Sequence, residues 1–186
     1  LSLDSFFIRE PVNYPLNAIR MQFVTNHDEN SWNGTVKEKF GKGEKAFVVL
    51  TYTVPGMPLI YSGQEVNLDR RLKFFEKDPI DWEKNKDMAI FYQKLNMLKK
   101  QNSALWNGNE GSKINRIKTN KDLQVFAFIR ENKDNKVLCV FNLSNKPAKL
   151  SLENDYNFVD VKSYFDGIAF NKQIELKPWE FQVFTK

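Results

Sequence analysis

The chain has 186 residues, 41% hydrophobic and 27% charged, with 16 Phe and four Trp, which excludes a disordered segment and suits one large or two small domains. Its formal net charge of +5 comes from lysines interspersed with aspartates and glutamates, so a solvated surface is expected and nucleic acid is not a predicted partner. A single cysteine excludes an internal disulfide, and no apolar stretch reaches the length of a membrane span.

In chain order, Leu1 to Glu10 carries apolar residues at Leu3, Phe6 and Phe7 and stops at Pro11, which fits the end of an amphipathic helix. Val12 to Leu16 reads as a proline-interrupted loop. Met21 to Thr25 is short, apolar and β-prone, a buried strand by its pattern. It ends in Asn26-His27-Asp28-Glu29-Asn30, five polar residues with the only histidine of the chain among them. Such a cluster delivered by a strand end is either a polar turn or a site. Ala46 to Val54 is β-branched enough for a strand, but would have to be a helix if its flanking runs pair in parallel. Pro55-Gly56 ends it, and Met57 to Tyr61 is the next expected strand, buried like the first. Residues 67–82 form a charged irregular loop. Lys86 to Gln101 is predicted helical, with Met88, Phe91, Leu95 and Leu98 as its apolar stripe, Lys94 and Lys99 off it, and lysines suiting its C-terminus.

From Ser112 the pattern changes to short runs separated by turn residues: Ile114–Lys118, Leu123–Arg130, Val137–Leu143, Leu150–Leu152, Phe158–Val161 and Glu180–Phe184. This predicts an antiparallel sandwich of about seven or eight strands. Trp179, Phe181 and Val183 alternate with Glu180 and Gln182, as in a half-buried strand. Cys139, inside an apolar run, is expected to be a buried and inert thiol.

The segments FVTNHDEN and VPGMPLIYSGQE, in this order and at this spacing, resemble the last third of the α-amylase family of glycoside hydrolases. The resemblance implies that Met21–Thr25 and Met57–Tyr61 are strands seven and eight of a (β/α)8 barrel, and on that ground Ala46–Val54 is assigned to a helix. The expected fold is thus α/β plus all-β: residues 1–108 as the C-terminal part of the barrel, residues 109–186 as an antiparallel β-sandwich. The start at Leu-Ser-Leu, without an initiator methionine, fits a piece of a longer protein. The parent is expected in the periplasm or outside the cell, although no signal segment is visible here.

Retaining glycosidases need two carboxyl groups about 5 Å apart. Asp28 and Glu29, as neighbours on an extended chain, would point to opposite faces and could not serve as that pair. By resemblance, the nucleophilic Asp and the acid/base Glu belong to strands four and five, and nothing in this chain matches their surroundings. The resemblance makes Asp28 the third acidic residue, which binds two hydroxyls of the attacked sugar, and His27 a donor to the same sugar. Asn26 is grouped with them as substrate-binding, although its expected part is to orient the strand end. Trp32 is a candidate either to stack on a sugar ring or to cap the barrel. Glu29 is expected to be structural, and the roles of Gln64 and Glu65 are open. No cofactor is expected in this stretch, because the family's calcium sites lie largely in the portion this chain does not contain. The expected partner is an α-glucan or maltooligosaccharide. The alternative is a non-catalytic carbohydrate-binding piece, favoured if aromatics are exposed on one sandwich face. Unpaired strand edges at Met21–Thr25 and Met57–Tyr61 would also favour self-association.

Overall fold

The computed structural model describes residues 2–9, 13–15, 17–152, 158 and 160–186. The predicted N-terminal helix is present through Ser5–Arg9, with Phe7 buried, while its ends at Leu1, Glu10 and Pro11 lie outside the described residues, as do Val12 and Leu16.

Two short strands, β1 (Met21–Gln22) and β2 (Met57–Pro58), pair in parallel with Met21 opposite Met57. Two further bonds extend the ladder: the Met57 N–H donates to the Arg20 carbonyl and the Leu59 N–H to that of Gln22, each at 2.9 Å. Gly56 is required where the strands meet. Its φ is +134°, and a Cβ there would lie 2.5 Å from the Arg20 carbonyl oxygen. The expected continuous buried strands need correction in two respects. The chain bends at Val24, so only two residues of each run form the ladder. Burial also alternates: Gln22, Val24 and Thr25 are buried, whereas Met21, Phe23 and Met57 are exposed. One side of this ribbon packs on a helix and the other is open.

The connection between the strands is helical. Thr35 caps α1 (Val36–Phe40) with a reciprocal box: the Glu38 N–H donates to the Thr35 hydroxyl at 3.1 Å, and the Thr35 N–H to the Glu38 carboxylate at 2.6 Å. Helix α2 (Glu44–Thr53) follows, with Ala46, Val48, Val49, Leu50 and Tyr52 buried. Burial on most sides selects apolar residues of any shape, so the β-branched content that favours a strand in isolation is overridden. Val54 turns extended before Pro55, as a residue preceding proline should.

Helix α3 (Asp87–Gln101) begins one residue later than expected and buries Met88, Tyr92, Leu95 and Leu98, with Phe91 only partly covered. Lys99 is not on the open side as expected. It is half-buried, its Nζ donates to the Leu105 carbonyl at 2.7 Å, and burial beside the Arg130 charge pushes its pKa down to about 8.

The remaining strands are β3 (Asn115–Ile117), β4 (Val125–Glu131), β5 (Lys136–Asn142), β6 (Ala148–Ser151), β7 (Lys162–Ser163), β8 (Gln173–Leu176) and β9 (Phe181–Thr185). Five of them form one antiparallel sheet in the order β3-β4-β5-β9-β7, and β6 pairs with β8 in a second. Phe126, Phe128, Cys139, Phe141 and Val183 pack toward the helices. Ala127, Ile129, Leu138, Val140 and Phe184 pack toward Leu150 and Ile174 of the second sheet. The central sheet is therefore buried on both faces, and the expected half-buried pattern of the last strand is corrected accordingly: Val183 and Phe184 are both inside. Trp179 precedes that strand in a left-handed turn (φ 61°) and faces Phe47 instead. Leu123, expected in a strand, is fully exposed in a turn. Of the expected Phe158–Val161 strand, residue 159 lies outside the described residues, Asp160 takes φ 65°, and the strand lies one place further on at β7. Strand β8 is absent from the sequence reading. Cys139 is buried as expected, and burial raises its thiol pKa to about 12.

Arg130 joins the layers. It is 1% exposed, and its guanidinium donates to the carbonyls of Ser112 (2.9 Å), Thr53 (3.2 Å), Leu105 (3.3 Å) and Trp106 (2.9 Å). The side chain thereby ties the end of α2 and the segment after α3 to β4, satisfying carbonyls that burial would leave costly.

Candidate functional site

At the C-terminal end of β1 the chain turns at once into a helical segment. Asn26 causes this: its side-chain oxygen accepts the Glu29 N–H at 2.8 Å, and its carbonyl accepts the Asn30 N–H at 2.9 Å. His27 and Asp28 are therefore on the first turn of a helical stretch continuing through Glu29–Asn33, not on the extended chain assumed for Asp28 and Glu29. Their side chains are 68% and 60% exposed and adjoin, with Nε2 of His27 3.5 Å from Oδ2 of Asp28. Asn26 is engaged in the hydrogen bonds that form this turn.

The neighbouring polar residues are bonded within the fold. Glu29 pairs with Lys39 at 3.1 Å, and that bond, with one from Asn33, lowers its pKa below the usual carboxylate range. Gln64 is buried: its amide donates to the Tyr92 hydroxyl at 2.6 Å and its oxygen accepts the Tyr61 N–H at 2.7 Å. Glu65 accepts the Gly63 N–H at 3.0 Å.

The loop after β2 returns to this end and is clamped there. Asn30, 4% exposed, accepts the Leu72 N–H at 2.7 Å and donates to the Arg70 carbonyl at 3.3 Å. The Ser31 hydroxyl donates to the Leu72 carbonyl at 2.8 Å, and that of Thr35 to Asp69 at 2.9 Å. The last bond, chief among several, lowers the Asp69 pKa. Within the loop, Asp78 takes both the Arg70 guanidinium at 2.6 Å and the Lys73 N–H at 2.9 Å, and its pKa falls chiefly through the first. This closure holds Phe74 and Phe75 at the tip. The Phe74 ring centroid lies 6.0 Å from His27 and 5.5 Å from Trp32, and Phe75 lies 4.8 Å from Phe74. Trp32 is 59% exposed and Phe75 86%. The structure thus brings His27, Asp28 and Trp32 to one end, with Asn26 as their support. The sequence reading passes over Phe74 and Phe75, although two phenylalanines in a charged loop are a signal of their own.

A cleft of about 560 Å³ lies at the opposite end of the strands, lined by Phe7, Tyr14, Arg20, Gly56, Trp106 and Arg130 among others, with no carboxylate or histidine among the described residues of its wall. It does not join the polar cluster. Among the described residues, no group of three carboxylates, histidines or cysteines converges as a metal site, and no helix is long and apolar enough to cross a membrane.

Comparison with known proteins matches residues 116–183 to the maltogenic amylase C-terminal domain. Alpha-amylase 2 of Dictyoglomus thermophilum is 25% identical over 171 residues, covering 86% of this chain and 28% of its own length. A noncanonic maltogenic alpha-amylase from Thermotoga neapolitana superposes with a TM-score of 0.79 at 20% identity, over 99% of this chain and 45% of that one. A cyclomaltodextrinase superposes with a TM-score of 0.74 at 21% identity, over 95% of this chain and 31% of that one. The chain therefore spans less than half the length of these relatives. By family model over residues 116–183, curated relative and fold together, the chain is similar to α-amylase-family glycoside hydrolases, and residues 116–183 match the C-terminal domain of maltogenic amylases.

Proposed function

We propose that this chain is the C-terminal part of an α-amylase-type retaining glycoside hydrolase acting on α-glucosidic bonds of starch-like glucans. In this reading residues 1–108 complete a (β/α)8 barrel as strands seven and eight with their helices, and residues 109–186 form the sandwich that follows. Asp28 accepts hydrogen bonds from two hydroxyls of the attacked sugar, and His27 donates to the same ring. The nucleophile and the acid/base come from earlier barrel strands. The supporting observation is the adjoining, exposed pair His27–Asp28 at the C-terminal end of a parallel strand, where barrel enzymes assemble their sites.

The part assigned to Asp28 is electrostatic and geometric. As the sugar flattens toward an oxocarbenium ion, hydrogen bonds to its hydroxyls strengthen, and an interaction that strengthens then raises kcat rather than merely lowering KM. Asn26 supports this by fixing the turn that carries Asp28.

The test is Asp28→Asn in the complete enzyme. Loss of one preorganised contact, about 3 kcal/mol, lowers kcat roughly a hundredfold, with KM changed less than about threefold. An unchanged kcat would remove Asp28 from the role.

A further inference from the structure

We propose that Trp32, Phe74 and Phe75 form a stacking subsite for a neutral pyranose ring of an α-glucan, adjoining the sugar gripped by Asp28 and His27. The proposal rests on that reading of Asp28 and His27 and extends it to a second ring. Three observations carry it.

The aromatic faces are presented outward. Trp32 and Phe75 are more than half exposed, Phe74 is 39% exposed, and the three rings touch in series at 5.5 and 4.8 Å. A contiguous exposed aromatic patch marks a surface that binds something.

The patch also continues into polar groups. Phe74 lies 6.0 Å from the His27 ring at an interplanar angle of 31°, and His27 adjoins Asp28. An apolar wall ending in hydrogen-bonding groups matches a pyranose, which has a C–H face and a rim of hydroxyls. A charged ligand fits poorly: Arg70, Arg71 and Lys73 beside the wall are already paired with Asp78, Glu38 and Glu76.

Finally, the wall is preorganised. Asn30 and Ser31 fix the base of the loop and Asp78 closes it, so little ordering cost remains when a ring docks.

Equilibrium dialysis of the whole 186-residue chain against labelled maltoheptaose tests this. Phe75 is so exposed that its removal leaves packing intact. Phe75→Ala is expected to weaken binding roughly fivefold, the size of one aromatic contact, and Phe75→Tyr to retain it. The control Leu123→Ala, at an exposed turn elsewhere, is expected to bind like the parent chain. If Phe75→Ala binds like the parent chain, the stacking subsite is overturned, while a lowered kcat of Asp28→Asn in the complete enzyme keeps the reading of Asp28 standing. If Phe75→Ala weakens binding while Asp28→Asn leaves the kcat of the complete enzyme unchanged, the subsite stands and the reading of Asp28 fails. Absence of maltoheptaose binding at millimolar concentration overturns the subsite, and the kinetics of Asp28→Asn then decide the role of Asp28 separately.

Discussion

Asn30 shows how much one buried amide organises at this end of the molecule. It bonds to the backbone of residues 70 and 72 with both ends of its side chain, so the loop that carries Phe74 and Phe75 has little freedom at its base. Asn30→Ala leaves the Leu72 N–H without its acceptor, and a buried donor left unmade costs about 2 kcal/mol. Thermal unfolding should register that loss, and hydrogen exchange at Leu72 should accelerate. A variant with parent-like stability and exchange would show that the loop is held by Ser31 and Asp78 alone. The sequence shows the polar cluster from Asn26 to Asn30 plainly, because five polar residues after an apolar run have no reason to be in a core. It does not show which of them face solvent. Asn26 and Asn30 are consumed by backbone bonds and His27 and Asp28 are not, a division set by the helical turn after Thr25 and by a loop some forty residues away. An extended chain at Asp28–Glu29 was the wrong local geometry for the same reason.

At the scale of elements, packing outweighs local preference in both directions. Helix α2 forms from a β-branched run because it must bridge two parallel strands, and only the resemblance to a known family made that legible. The short strand β8 escapes a reading based on apolar runs, since only Ile174 and Leu176 of its four residues are buried. In α3 the stripe is displaced to Tyr92, and Lys99 is drawn inward to the Leu105 carbonyl, a contact with the segment after the helix that helical periodicity does not foresee. This lysine has a consequence for pH dependence. Its folded pKa is about 8 against an ordinary 10.5, so between these values the unfolded chain holds more protons and stability rises with pH. Cys139, raised to about 12 from an ordinary 9.0, acts in the opposite direction above pH 9 but is common to parent and variant. The stability of the parent relative to Lys99→Met should therefore increase from pH 8 to 10.5 in parallel thermal melts. Curves that stay parallel would show that Lys99 keeps an ordinary pKa in the fold.

For the whole molecule, the central sheet is the structural anchor, covered by helices on one face and by β6 and β8 on the other, with Arg130 bridging to the helical side. Its aromatic residues Phe126, Phe128 and Phe141 are buried, and among the described residues the large hydrophobics exposed after Gly111, Leu123 and Ile168, are aliphatic, which does not favour a sandwich that binds glycan by itself. The β1–β2 ribbon is different. Ile19, Met21, Phe23 and Met57 are exposed beside it, the face that neighbouring strands would cover in the proposed barrel and that favours self-association of the chain alone. Under the proposed function, the nucleophile and the acid/base belong to earlier strands of the longer enzyme, so the 186-residue chain by itself would grip a sugar without cleaving it. The most direct measurement is turnover of a p-nitrophenyl maltoside by the purified 186-residue chain. The account predicts no hydrolysis above the buffer rate, and turnover that Asp28→Ala abolishes would contradict it.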